Sequence, residues 1–137
     1  MSKIYCSNRQ ADFYDIIKFM QIITSENKIS VDALKEMAEK MFGNLIKAVV
    51  DVERGIMVVD GELHSDEEVL LIERGSKRTD VWGINFYLEF KPEDERFVEF
   101  DSMINIKPAQ GNRSRGIDDE QTRSKILAVV KKLIAEN

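Results

Sequence analysis

Apolar positions along the chain fall into two spacings, three-to-four and two, and the changes between them outline the elements. Helical spacing is clearest after Ile29, where Leu34, Met37, Ala38, Met41 and Phe42 form one stripe. Ser30 is placed to cap the first-turn amides, Ile29 and Leu34 stand at hydrophobic-staple positions, and Gly43 supplies a left-handed stop. Methionines at this spacing are core packing rather than a soft-metal site. A second stripe of Ile126, Leu127, Val130, Leu133 and Ile134, broadened by Val129, predicts a closing helix. It opens at Ile117-Asp118, with Asp118 as cap, Gln121 at the third helical position, and Lys131 and Lys132 complementing the negative end.

Between these helices the pattern is that of strands. Ile46–Val52 and Ile56–Val59 are β-rich runs joined by Glu53-Arg54-Gly55, which predicts a hairpin with a glycine bulge. Apolar residues at both parities place this hairpin in the centre of the sheet. Val69–Ile72 reads either as a short strand or as the end of a helical turn begun near Asp66. Ile84, Phe86, Leu88 and Phe90 alternate with polar residues. After the polar link Pro92–Arg96, the stretch Phe97–Ile106 puts Val98, Phe100, Ile104 and Ile106 on one side, with Glu99, Asp101, Met103, Asn105 and Lys107 on the other. Met20–Thr24 reads as a further short strand. Phe13, Ile16, Ile17 and Met20 fit a short amphipathic helix over Ala11–Met20. The expected organisation is an arm over residues 1–19, or an overextended start, followed by a single α+β domain over 20–137. That domain is a two-layer sandwich of two main helices on a mostly antiparallel sheet of four to five strands.

Composition narrows the class without naming a reaction. The chain has 137 residues, 43% apolar and 33% charged, as in a soluble globular domain. No apolar run approaches the roughly 18 residues of a membrane helix, and no signal-peptide pattern is present. The single cysteine, Cys6, excludes an intrachain disulfide and a multi-cysteine metal centre. A cytoplasmic protein is expected. The net charge is −5, but unevenly spread. Residues 30–106 hold nine basic and 18 acidic groups, a net −9, whereas residues 107–137 hold seven basic and four acidic groups, a net +3. This balance gives no support to a DNA coat protein, and the scattered aromatics make no base-stacking series with interleaved cations.

Two segments carry candidate chemistry. In the polar stretch Lys107–Gly116, Arg113 and Arg115 offer planar donor forks suited to carboxylate or phosphate. Ser114 adds a hydroxyl, while Asn112, Gln110 and, on the preceding segment, Asn105 add donors and acceptors. Gly111 and Gly116 are spaced as in a phosphate-binding Walker loop, but the lysine and hydroxyl residue that should come next are absent. Asp101 beside this loop reads as a catalytic carboxylate, a metal ligand or the salt-bridge partner of an arginine. In the second segment, Glu62, His64 and Asp66 would share one side of an extended chain and form a divalent-metal or acid–base set. A solvated or helix-capping acidic turn accounts for the same residues. No cofactor motif appears. Trp82 is a core anchor or a ligand wall.

The chain resembles a small uncharacterised prokaryotic family known only as a domain of unknown function. The resemblance runs over Met20–Ile134 and rests on Phe42-Gly43, Val49-Val50-Asp51, Glu62-Leu63-His64 with Asp66-Glu67-Glu68, and Trp82-Gly83-Ile84-Asn85. Its longest stretch is Phe100–Pro108, continued by Gln110–Gly116. It implies no activity, cofactor or partner. The functional expectation is therefore a small binding or regulatory module that takes a small anionic molecule or an acidic protein surface at Gln110–Gly116. The alternative is a small metal-assisted hydrolase or phosphotransfer enzyme using His64 or Asp101 with Arg113 and Arg115. A homo-oligomer stays open, as does the question whether the protein is an enzyme.

Overall fold

A computed structural model describes residues 17–135. The arm expected over residues 1–19, with its helix over Ala11–Met20, lies outside them apart from the last positions. A five-stranded antiparallel sheet is built from β1 (Gln21–Ile23), β3 (Leu45–Asp51), β4 (Ile56–Val59), β5 (Val81–Tyr87) and β6 (Val98–Glu99), in the order β1-β4-β3-β5-β6. A separate parallel pair joins β2 (Ile29–Ser30) to β7 (Ile134–Ala135). Against the strands lie the helices α1 (Val31–Met41), α2 (His64–Glu73) and α3 (Glu120–Leu133), with shorter 3-10 turns over Arg78–Asp80, Met103–Asn105 and Pro108–Gln110.

The α1 signals act as expected. Ser30 Oγ accepts the Ala33 amide at 3.1 Å, Leu34, Met37 and Ala38 are buried, and Gly43 closes the helix at φ +89°. The central hairpin also forms, but its loop has four residues rather than three. The Asp51 carboxylate accepts the Glu53 and Arg54 amides, both at 2.9 Å, so the backbone leaves the ladder at Asp51 instead of continuing through Val52.

The two faces of the sheet differ in what covers them. On the inner face, Ile46, Ala48, Val50, Met57, Val59, Trp82, Ile84 and Phe86 meet α1 and α3 in one continuous core. The Phe86 and Phe97 rings stack 5.1 Å apart within it. On the outer face, Val49, Val58 and Val81 meet Leu70 and Leu71 of α2, together with Met20 and the partly buried Ile17. The ambiguous run Val69–Ile72 is thus helical, as part of α2.

Three further expectations are corrected. The strand predicted over Phe97–Ile106 pairs with β5 only at Val98 and Glu99; the chain then winds into a 3-10 turn over Met103–Asn105, leaving Met103 and Ile106 exposed. The cap of α3 is Asp119, which accepts the Thr122 amide at 3.2 Å, so Asp118 precedes the cap and Gln121 falls at the second helical position. Within the α3 stripe Leu127 is exposed, and Ile134 has left the helix to pair with Ile29.

Candidate functional site

The loop that carries the arginines is held by two buried asparagines. Beyond β6 the edge of β5 has no strand beside it, and Asn105 takes that place. Its Oδ1 accepts the Gly83 amide at 2.8 Å, and its Nδ2 donates to the Gly83 carbonyl at 2.9 Å and the Arg115 carbonyl at 3.1 Å. One side-chain amide thereby satisfies the backbone pair that a strand residue would have satisfied. Ser102 starts this turn by accepting the Ile104 amide, which is why the strand pattern breaks there despite its alternation. Asn112 is the second tie. Its Nδ2 donates to the carbonyls of Asn105 and Gly116, both at 2.7 Å, and its Oδ1 accepts the Asp118 amide at 2.9 Å.

Two more side chains anchor the loop to the start of β5. Gln110 Nε2 donates to the Thr79 carbonyl at 3.0 Å. The Lys107 ammonium donates to the carbonyls of Arg78 and Val81 and lies 4.1 Å from the centre of the Trp82 ring. Burial pulls its pKa down to about 8. Trp82 is a core residue whose ring also carries this lysine.

Of the expected ligand-binding residues, Asn105, Gln110 and Asn112 therefore bond to the protein's own backbone, while Arg113, Ser114 and Arg115 are exposed. Arg115 Nε donates to Asp101 Oδ1 at 2.7 Å, with both side chains substantially solvated. No hydrogen bond links its two terminal nitrogens to the described residues. Arg113 has no hydrogen-bond or ion-pair partner among them. Ser114 Oγ lies 3.5 Å from Asp118 Oδ1. Two open surface recesses lie elsewhere, along Glu120–Lys125 of α3 and between α1 and Leu88-Glu89.

The Glu62–Asp66 segment is not extended as expected, because His64 is the first residue of α2. This removes the alternation that would have aligned Glu62, His64 and Asp66, and among the described residues no group of three such ligands could hold a metal ion. His64 turns inward instead. Its Nε2 lies 2.8 Å from the Ile84 carbonyl, an acceptor, so Nε2 carries the proton and Nδ1 of the neutral ring keeps the lone pair. Burial lowers its pKa, with the charges of Asp101 and Arg115 acting on the ring in opposite directions. Close packing allows this: a methyl group on Gly83 would meet Ser102 Oγ at 2.6 Å and His64 Cδ2 at 3.2 Å. His64 and the Asp101–Arg115 pair thus share the outer face of the sheet.

Two residues of this face drew little notice in the sequence. Lys47, on the outer side of β3, pairs in register with Asn85 of β5. Glu67, three residues after His64, is fully buried, and burial holds its carboxyl well above the usual range. Its signal was available: an acid three and four residues before Leu70 and Leu71 lies on the apolar face of its own helix.

An α+β protein with a five-stranded antiparallel sheet, helices on both faces and an asparagine-braced arginine loop is the class these features define. The chain belongs to the family DUF5674, described as a protein of unknown function, which matches residues 21–133. No curated protein and no solved structure matches it.

Proposed function

We propose that the protein is a small binding module that takes a carboxylate-rich surface of a partner protein at Arg113 and Arg115. The observation that carries this reading is the contrast within one loop: its buried amides are spent on holding the backbone, and its exposed guanidinium groups are left with unspent donors. Preformed loops lose little entropy on binding, and guanidinium forks match carboxylates two donors at a time. Both arginines stand on exposed surface, which suits a partner that brings its own contour more than an enclosed small molecule. A second copy of this chain is one source of such a surface, since residues 30–106 carry a net −9 from nine basic and 18 acidic groups. The cytoplasm, where a single cysteine stays reduced, is the compartment we assign.

The test is a fluorescence titration of the full chain with a labelled oligo-aspartate peptide. Saturable binding that weakens with salt and is lost in the double variant Arg113→Ala, Arg115→Ala supports the reading. Equal binding by that folded variant overturns it. Light scattering separates self-association from capture of another chain.

Acid–base catalysis by His64 with Asp101 and Arg115 is a second reading, favoured by the packing of the imidazole at Gly83 beside Ser102, the chain neighbour of Asp101. It requires a hydrolytic rate on a simple phosphate or acyl ester that His64→Gln abolishes while the fold persists.

A further inference from the structure

One end of the sandwich gathers cations that the arginine loop does not use. The hairpin turn between β3 and β4, the turn that follows α2 and the last turn of α3 meet there. The Val52 amide donates to the Asp80 carbonyl at 3.1 Å, and Arg54 Nη1 donates to the Arg74 carbonyl at 2.9 Å, which joins the first two. Lys132 of α3 reaches the same hairpin from the inner layer: a methyl group on Gly55 would stand 3.7 Å from its ammonium.

Arg54 is fixed in place without being neutralised. Asp51 is fully buried, and its carboxylate is spent on the Glu53 and Arg54 amides and on the Ser76 hydroxyl, which donates to Oδ2 at 2.6 Å. Ser76 Oγ in turn accepts Arg54 Nη1 at 3.1 Å. A serine thus stands between the acid and the arginine, and the guanidinium is held by a hydroxyl and a carbonyl, both uncharged. Its Nε and Nη2 make no hydrogen bond with the described residues. Arg54, Arg74, Lys77, Arg78 and Lys132 are all exposed, and none forms an ion pair among the described residues, although Glu53 and Glu73 are chain neighbours of two of them. Like charges held side by side repel, and an anion relieves that repulsion.

The surroundings select the kind of anion. Gly55 at φ +65° and Gly75 at φ +102° put bare backbone beside Lys132 and Arg54, since a methyl group on either glycine would stand 3.7 Å from the nearer cation's nitrogen. A thin ligand can lie close against such backbone. Residues 52–55, 74–80 and 130–133 include no aromatic, so a nucleobase has no ring to stack on. The large apolar side chains exposed among the described residues all belong to other segments, so a lipid surface gains no insertion here. We propose that this end of the molecule binds a linear chain of phosphate groups, as in polyphosphate or the tail of a nucleoside triphosphate. Arg54 donates from Nε and Nη2 to two oxygens of one phosphate, while Lys132 and Arg74 hold its neighbours. Lys77 and Arg78 extend the positive field along the adjoining turn.

The test is isothermal titration calorimetry of the full chain with sodium tripolyphosphate, ATP and oligo-aspartate. Tripolyphosphate binds saturably and more weakly as salt rises. Arg54→Lys keeps the charge but gives up the fork, and weakens binding roughly tenfold, the loss of one charge-assisted hydrogen bond. Lys132→Gln and Arg74→Gln each weaken it by up to about fivefold, as for an exposed ion pair. Neither of these two side chains makes a hydrogen bond within the described residues, so both variants keep the fold. Arg113→Ala leaves the titration unchanged, which separates this end from the arginine loop. Equal affinity for ATP assigns the nucleotide tail as a sufficient source, and weaker ATP binding assigns the free chain. Tighter ATP binding overturns the proposal, since it requires a base contact. So does the absence of saturable tripolyphosphate binding, or binding that Lys132→Gln and Arg74→Gln leave intact. Oligo-aspartate bound as tightly as tripolyphosphate, and lost in the same variants, replaces the phosphate chain with a carboxylate surface and also overturns it.

Discussion

The two faces of the sheet are built on opposite terms. The inner face is apolar from edge to edge and closed by two helices, with the large side chains between Ile46 and Phe86 packed into one core. On the outer face α2 brings Leu70 and Leu71 over one end of the strands and carries His64 and Glu67 over the other. The polar groups there are Lys47, Asn85, Tyr87, Glu99 and Asp101, and its ionisable members include two whose burial works against their charged forms. The larger apolar core lies on the first face, and the buried ionisable groups His64 and Glu67 lie on the second. Substitutions that respect this division should therefore sort by size of effect.

The largest effect belongs to the inner core. Phe86→Ala removes a fully buried ring stacked on Phe97 and should cost about 3–5 kcal/mol, read from the denaturant midpoint. A comparable loss from Tyr87→Ala, whose phenol bonds Glu99 at the outer face, would erase the distinction between the faces.

Next is the tie between them. Asn105→Ala leaves the Gly83 amide and carbonyl without the partners they now have, at about 1–3 kcal/mol for each buried group left unpaired. Hydrogen exchange at Gly83 and through Arg113–Arg115 should accelerate together, because one side chain holds both. Acceleration at Gly83 alone would mean that the arginine loop has its own support.

How much of this the sequence carried depends on the range of the interactions involved. Periodicity reports local burial, and it yielded α1, the central hairpin, the closing helix and the α+β sandwich. Side-chain bonds to distant backbone leave no periodic trace. The Asn105 amide bonds Gly83, 22 positions away, and that long-range contact ends a strand whose own alternation predicted its continuation through Ile106. The loop Gln110–Gly116 was marked by its composition, but which of its polar residues face inward was set by Asn112 and by contacts to Thr79 and Arg78. Glu62, His64 and Asp66 were grouped on an extended-chain assumption that the α2 start removes.

Acidity offers a finer probe of the outer face, because two buried groups pull in opposite directions. His64 has a folded pKa below the ordinary 6.5, so the unfolded chain binds its proton first and this contribution to stability falls as pH drops below that value. Glu67 has a folded pKa above the ordinary 4.5, so its contribution is complete in acid and declines as pH rises from 4.5 toward the folded value. The slope is at most about 1.4 kcal/mol per pH unit for one proton. Glu67→Gln should flatten the decline above pH 4.5, and His64→Gln the loss below 6.5, in melts recorded across that range. Superimposable pH profiles for Glu67→Gln and the parent would place the carboxyl in a more solvated setting than its burial indicates.

The smallest change in stability should accompany the most telling change in binding. The Asp101–Arg115 pair is solvent-exposed on both sides, and such pairs contribute about 0–1 kcal/mol. Asp101→Asn should therefore leave the melting curve almost unmoved. It also removes the carboxylate that now occupies Arg115 Nε, which frees the whole guanidinium fork for a partner's acid. Oligo-aspartate should then bind this variant more tightly than the parent, whereas a carboxylate that merely braces the loop would give the opposite change. Tighter binding at unchanged stability marks Asp101 as an internal stand-in for the partner. Weaker binding makes the pair a structural brace and leaves Arg113 alone as the contact.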